Sequence, residues 1–152
     1  MSVQRIDQGM ATAAAELLPE HVDKELRTRC RHLRVMLNTA GLAATYAYLA
    51  AKSGSQTSLE RAYRDVAESM RERLEDAGLL AGGRRMSHRQ VLAELGAMSP
   101  ARYARAGLEA ATLAGWLARL ADALYEPESR DGDDPADGAA ATGRAGEQEP
   151  RR

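Results

Sequence analysis

The sequence predicts an all-α protein, a single compact bundle of about six helices followed by a disordered acidic C-terminal tail. Its composition is the first reason: leucine, alanine, arginine and glutamate dominate the 152 residues, phenylalanine is missing and β-branched residues are scarce, a bias that favours helix over sheet. Apolar residues also recur at spacings of three and four, as on one face of a helix. No stretch alternates apolar and polar residues as a half-buried strand would.

The first three helices are separated by Pro19 and by the stretch 38–41. The first has the apolar positions Ile6, Met10, Ala14 and Leu17 and stops near Pro19. The second spans about 22–37, because apolar side chains fall 4, 4, 3 and 4 positions apart along it, at Val22, Leu26, Cys30, Leu33 and Leu37. Residues 38–41 break or bend the chain, and a third, alanine-rich helix then has Leu42, Tyr46 and Leu49 on its apolar face.

Capping residues mark where the last three helices begin. Thr57 and Glu60 have the spacing of a capping box and open the fourth helix, which Gly78 ends. Ser87 and Gln90 open a short fifth helix in the same way. The pair at 99–100, a serine followed by proline, predicts the start of a long sixth helix, whose apolar positions alternate by three and four up to Leu124.

The formal net charge of −1 is unevenly distributed along the chain. Residues 127–152 contain seven acids and four arginines, a net charge of −3, which leaves +2 for residues 1–126. Because this last stretch has almost no apolar side chain beyond alanine, it cannot offset the entropy lost on ordering. We therefore expect one folded domain over 1–126 and a disordered tail over 127–152, whose acids are Glu128, Asp131, Asp133, Asp134, Asp137, Glu147 and Glu149.

The sequence lacks the patterns of an enzyme or a metal site. Cys30 is the only cysteine and lies on the apolar stripe of the second helix, where we expect a small core residue. His32 is two positions away, about 200° around a helix, so the two side chains cannot share a metal. His21 and His88 have no ligand-like neighbours, and no phosphate-binding glycine loop, zinc-protease histidine pair or nucleophile elbow is present. We predict no catalysis, metal or cofactor.

The sequence also lacks the patterns of a membrane or exported protein. No apolar run approaches the roughly 18 residues that cross a bilayer, and the start of the chain has no signal-peptide pattern. We expect a cytoplasmic protein without membrane contact.

Arginine is the residue type that remains to be explained. In the second helix Lys24, Arg27, Arg31 and Arg34 fall 3, 4 and 3 apart, a continuous stripe about 120° from the apolar one. Arginine binds phosphate through two parallel hydrogen bonds, so this stripe is a candidate for contact with a sugar–phosphate backbone. The alternative is an ordinary solvated basic face. The full set of residues predicted to contact a nucleic-acid backbone is Lys24, Arg27, Arg31, Arg34, Lys52, Arg84, Arg85 and Arg89; the resemblance described next implies that this nucleic acid is RNA.

Two segments resemble a known family. The stretch 33–52, LRVMLNTAGLAATYAYLAAK, resembles the helix–turn–helix centre of the small subunit of type III-B CRISPR effector complexes, the Cmr complexes. The stretch 99–121, SPARYARAGLEAATLAGWLARLA, resembles the last helix of that family. The characteristic residues of that helix correspond here to Tyr103, Glu109-Ala110, Trp116-Leu117, Arg119 and Leu120-Ala121. The resemblance covers roughly residues 5–125 and leaves out the acidic tail.

The resemblance implies a non-catalytic subunit that self-associates in a stacked filament inside an RNA-guided complex. Its implied partners are guide RNA, target RNA, the Cmr backbone subunits and the polymerase-like large subunit. Two other functions stay open: a small helical DNA-binding regulator that uses a helix-turn-helix, and an assembly scaffold whose basic stripe contacts acidic surfaces of partner proteins. The sequence pI near 6.3 argues against tight, independent binding of nucleic acid, and it permits a weak site that works when several copies line up along one strand.

Overall fold

The residues that the structure describes form six helices, in agreement with the prediction. The computed structural model describes residues 3–82 and 86–127, without the side chains of 3–7. The helices are α1 (Val3–Leu17), α2 (Lys24–Ala40), α3 (Leu42–Lys52), α4 (Ser58–Asp76), α5 (His88–Ala97) and α6 (Pro100–Leu124). Within the described ranges there is no strand, and an isolated parallel bridge joins Val22 to Tyr125. No helix in these ranges is both long and apolar enough to span a membrane.

The central element of the bundle is α6. Its most extensive neighbour is α2, and α1 and α4 also pack on it, while α3 packs mainly against α4, α5 and α2. The bridge between Val22 and Tyr125 fixes one end of the α2–α6 pair. At the other end the Ala43 N–H donates a 3.0 Å hydrogen bond to the Tyr103 hydroxyl. The two helices are therefore antiparallel, which places the C-terminal end of α6 beside the first half of α2.

The ends of α2 differ from the prediction by a few residues. The helix begins later, because the Asp23 carboxylate accepts a 2.7 Å hydrogen bond from the Leu26 N–H and caps the first turn. Val22 is thus an extended residue before the helix, although it is buried as predicted. The predicted break over 38–41 is confined to Gly41, whose φ of +87° is a conformation that favours glycine. Residues 38–40 continue the helix.

The predicted caps of α4, α5 and α6 are confirmed. Thr57 and Glu60 form a reciprocal capping box, with hydrogen bonds of 3.1 and 3.2 Å between each side chain and the backbone N–H of the other. Ser87 and Gln90 do the same at the start of α5. At the start of α6 the Ser99 hydroxyl accepts from the Arg102 N–H. These contacts satisfy N–H groups that have no partner inside the helix.

Gly78 ends α4 in a left-handed turn. Its φ is +70°, and its N–H donates to the carbonyl of Glu75. The next residue, Leu79, donates its N–H to the carbonyl of Leu74 at 2.8 Å. This pair of bonds is a Schellman motif, which satisfies two carbonyls at the helix end. The sequence therefore predicted the terminating residue correctly.

The predicted apolar faces meet in one core. Cys30, Leu33 and Leu37 of α2 are buried, and Leu26 packs against the core while half-buried. Large, fully buried side chains come from every helix except α2: Met10, Leu42, Tyr46, Leu49, Met70, Leu74, Val91, Leu95, Leu113 and Leu117. Burying a leucine of this kind stabilises the fold by about 1.5–3 kcal/mol. The side chain of Ile6 and the predicted tail from residue 128 onward lie outside the described residues.

Candidate nucleic-acid interface

The outer face of α2 carries the predicted basic stripe. Lys24, Arg31 and Arg34 are exposed, while Arg27 is half-buried. Cys30, Leu33 and Leu37 are buried on the apolar face, which lies about 120° around the helix from the stripe, so the stripe faces solvent along the junction of α2 with α6. The predicted separation between an inward apolar face and an outward basic face is confirmed for these positions.

One carboxylate of α6 holds two arginines of the stripe. The Arg27 Nε donates a 2.8 Å hydrogen bond to Asp122 Oδ1, and a terminal nitrogen of Arg31 lies 2.8 Å from the same oxygen. Arginine and carboxylate at this distance form a charge-assisted hydrogen bond. The hydrogen bond from Arg27, together with the positive charge of both arginines, lowers the pKa of Asp122. The ionised carboxylate therefore offsets part of the positive charge of this face.

Tyr125 adds a second contact to Arg27. The guanidinium carbon lies 4.5 Å from the centre of the Tyr125 ring, within the range of a cation–π interaction. With Asp122 on one side and the ring on another, the Arg27 side chain is only 29% exposed. Arg31 remains 55% exposed although it also contacts Asp122. Arg27 is therefore mainly a structural link between α2 and α6, and Arg31 can still reach a ligand.

Lys24 and Arg34 form no ion pair with any residue that the structure describes. They flank the pair bound to Asp122, one on each side along the helix. The stripe therefore holds four positive side chains and one neighbouring carboxylate, a net charge of +3. A helical face with excess positive charge at successive turns attracts phosphates, and the attraction is sensitive to salt.

Of the remaining predicted residues, the structure describes two, and both lie on other helices. Lys52 is exposed at the end of α3, and Arg89 is exposed in α5. No ion pair or side-chain hydrogen bond between described residues joins either one to the stripe. Arg84 and Arg85 lie outside the described residues. The structure thus groups four of the eight predicted residues on one helix face.

Cys30 and the histidines do not form a chemical site in the described part of the chain. Burial, aided by the negative charge of Asp122, raises the pKa of the Cys30 thiol to about 11, so the nucleophilic thiolate is scarce. His32 is exposed on a different side of α2. The Nδ1 of His88 hydrogen-bonds the buried Tyr46 hydroxyl at 2.8 Å, which ties α5 to α3. No group of three or more potential ligands among the described residues could hold a metal ion.

The opposite flank of α2 has a different electrostatic character. A cleft of about 440 Å³ opens where the end of α1, the start of α2 and the start of α4 meet. Leu17, Leu26 and Leu59 line it. Its charged lining residues are mostly acidic: Glu16, Asp23, Glu25 and Asp65 against Arg61. Because these carboxylates would repel phosphates, the cleft is a poorer nucleic-acid site than the outer face of α2.

Sequence reasoning missed Asp122 and Tyr125. Both follow from the antiparallel packing of α2 on α6, which brings Asp122 beside a residue 95 positions earlier in the chain. The spacing of residues within a single helix gives no signal for such a pair. A lone acid near the end of a helix followed by a tyrosine is too common a pattern to have identified them.

Comparison with known proteins supplies the family. The chain matches the family model described as CRISPR-associated protein (Cas_Cmr5) over residues 3–124, which includes all six helices and ends before the acidic tail. Neither a curated protein nor a solved structure matches the chain. The match covers most of the sequence and agrees with both the helical fold and the resemblance of the two segments. The chain therefore belongs to the Cmr5 family, the small-subunit family of type III-B CRISPR Cmr complexes.

Proposed function

We propose that the chain is a non-catalytic subunit that stacks along the interior of its Cmr complex and helps to accommodate target RNA through the outer face of α2. The observation that carries this proposal is the exposed, incompletely neutralised stripe of Lys24, Arg31 and Arg34 in a member of the Cmr5 family. The nucleotide sequence of the target is read by pairing with the guide, so the subunit needs only a positive surface. Arg27 supports that surface by linking α2 to α6 through Asp122 and Tyr125.

Membership of the family supports association with a Cmr complex. Within it, the partners we propose are the guide and target RNAs, the Cmr backbone subunits, the polymerase-like large subunit and further copies of this chain, and the location we propose is the cytoplasm. A single stripe with a net charge of +3 binds RNA weakly at physiological salt. Several copies aligned on one strand raise the effective concentration of every site after the first has bound. Stacking would therefore convert a weak site into a useful one.

The packing of α3 argues against a DNA-binding regulator. A recognition helix must present polar side chains to base edges in the major groove. Along α3, however, Leu42, Thr45, Tyr46 and Leu49 are buried against neighbouring helices, and Lys52 is the one charged residue of the helix.

A matched pair of variants tests the RNA role. Arg34→Ala removes an unpaired arginine of the stripe, whereas Arg29→Ala removes an arginine that lies on the same helix and is 3.8 Å from Glu25. For each variant, the affinity of the reconstituted complex for target RNA is measured across a salt series. If Arg34 contacts one phosphate, the slope of log K against log salt becomes shallower by about 0.7 in Arg34→Ala. The slope stays unchanged in Arg29→Ala.

Assembly, measured by size-exclusion chromatography of the same samples, separates RNA binding from scaffolding. Loss of RNA affinity with normal assembly supports the proposal. Loss of assembly in Arg34→Ala indicates that the stripe contacts a partner protein. Equal RNA affinity and equal slopes in both variants and the unmodified complex would exclude Arg34 from the RNA interface.

A further inference from the structure

The chain leaves the folded domain beside the basic stripe. Tyr125 pairs with Val22 just before α2 and lies against Arg27. Glu126 follows, with its carboxylate 3.3 Å from the His21 imidazole. Pro127 is the last residue described at this end. Whatever follows Pro127 therefore starts at the N-terminal end of α2, next to Lys24 and Arg27.

The segment that follows is strongly acidic. Residues 128–137 read ESRDGDDPAD, with five acids against Arg130, a net charge of −4. They lie beyond residue 124, where the family match ends. Their charge is opposite to the net +3 of the stripe. Asp122 already illustrates the expected chemistry, since its carboxylate binds Arg27 and Arg31 directly.

The distances allow contact. From Lys24 at the start of α2, the stripe rises about 10 Å to Arg31 and about 15 Å to Arg34, at about 1.5 Å per residue. Asp131 and Asp134 lie four and seven residues beyond Pro127, so an extended chain would carry them up to about 14 and 25 Å away. The first acids can therefore reach Arg31, and the later ones can reach Arg34 without strain.

We propose that the acidic segment 131–137 binds the basic stripe of α2 in its own chain when RNA is absent. Its carboxylates would take the positions that RNA phosphates occupy in the proposed function. The docking itself needs no RNA, and only the competition with RNA rests on that function. Surface ion pairs are individually weak and screened by salt. A tethered segment nevertheless acts at an effective concentration in the millimolar range, which makes weak pairing sufficient for a competitor.

The test compares three full-length proteins. The first is unmodified. The second, the aspartate variant, carries Asp131→Asn, Asp133→Asn, Asp134→Asn and Asp137→Asn. The third, the control, carries Glu147→Gln and Glu149→Gln, which neutralise acids farther along the tail. The first readout is the NMR shift of the arginine side-chain Nε–H groups, without RNA. We expect the signals of Arg31 and Arg34 to move in the aspartate variant at low salt, and to coincide with those of the unmodified protein at high salt. The control should keep the unmodified shifts.

The second readout is affinity for a single-stranded oligouridine probe at low salt. The aspartate variant should bind the probe about three- to tenfold more tightly than the other two proteins. In those two proteins the tethered acidic segment, at millimolar effective concentration, competes with RNA for the stripe. Unchanged Arg31 and Arg34 signals would overturn the docking whatever the RNA affinity. Moved signals with no RNA binding by any of the three proteins would support the docking and contradict the proposed function. A difference between the aspartate variant and the unmodified protein that disappears on dilution would show that the tail binds a second copy, which overturns docking within one chain.

Discussion

Cys30 provides a direct test of how α2 is oriented. It is the only cysteine of the chain, so any thiol labelling reports on this position alone. The side chain is 5% exposed, and burial raises its pKa to about 11, whereas a free cysteine titrates near 8.5. At pH 8 the thiolate fraction of the folded protein is therefore about two orders of magnitude below that of an unfolded chain.

The assay is the rate of reaction with a colorimetric disulfide reagent at pH 8, with and without denaturant. We expect at least a hundredfold slower reaction in the folded protein, because scarcity of thiolate and steric burial act together. A matched control moves the thiol by two positions on the same helix: Cys30→Ala with Thr28→Cys places it at an exposed site, where it should react nearly as fast as in denaturant. Native reaction within tenfold of the denatured rate would show that Cys30 faces solvent and that the orientation of α2 is wrong.

Two further predictions concern stability. Gly78→Ala should lower the free energy of unfolding by about 1–2 kcal/mol, because φ is +70° there and an added methyl meets no atom within 4 Å, so that only backbone strain acts. Gly107→Ala, within α6 and equally uncrowded, should raise the free energy of unfolding by about 0.5–1 kcal/mol. Both changes are measured by urea unfolding, and changes of the same sign would contradict this reasoning. Asp122→Asn should be less stable than the unmodified protein at pH 7. Since the folded pKa of Asp122 is lowered, the stability contributed by its ionised form is present above the unfolded pKa near 3.9 and is lost as the pH falls through the folded pKa. The difference between the two proteins should therefore shrink in urea unfolding below about pH 3.9, and a constant difference would refute the role of the charge.

The local features of the sequence predicted the helices well. Thr57 with Glu60, Ser87 with Gln90, and Gly78 each act within one turn of their own helix, so residue type and spacing suffice to find them. The end of α2 was less predictable. Asn38 is compatible with either a turn or a helix, and only the left-handed conformation of Gly41 shows where the chain breaks.

The sequence by itself determined that this protein is an all-helical bundle, that Cys30 points inward, and that Lys24, Arg27, Arg31 and Arg34 share the outer face of one helix. Each of these follows from the helical period, which is fixed by backbone geometry. Only the tertiary structure decided which of these cations remain available. Arg27 and Arg31 share Asp122, and Arg27 also contacts Tyr125, while Lys24 and Arg34 have no ion-pair partner among the described residues. That difference depends on the antiparallel register of α2 on α6. The register is set by the packing of the apolar faces of two helices that are far apart in the sequence, and it cannot be read from the spacing of residues within either helix.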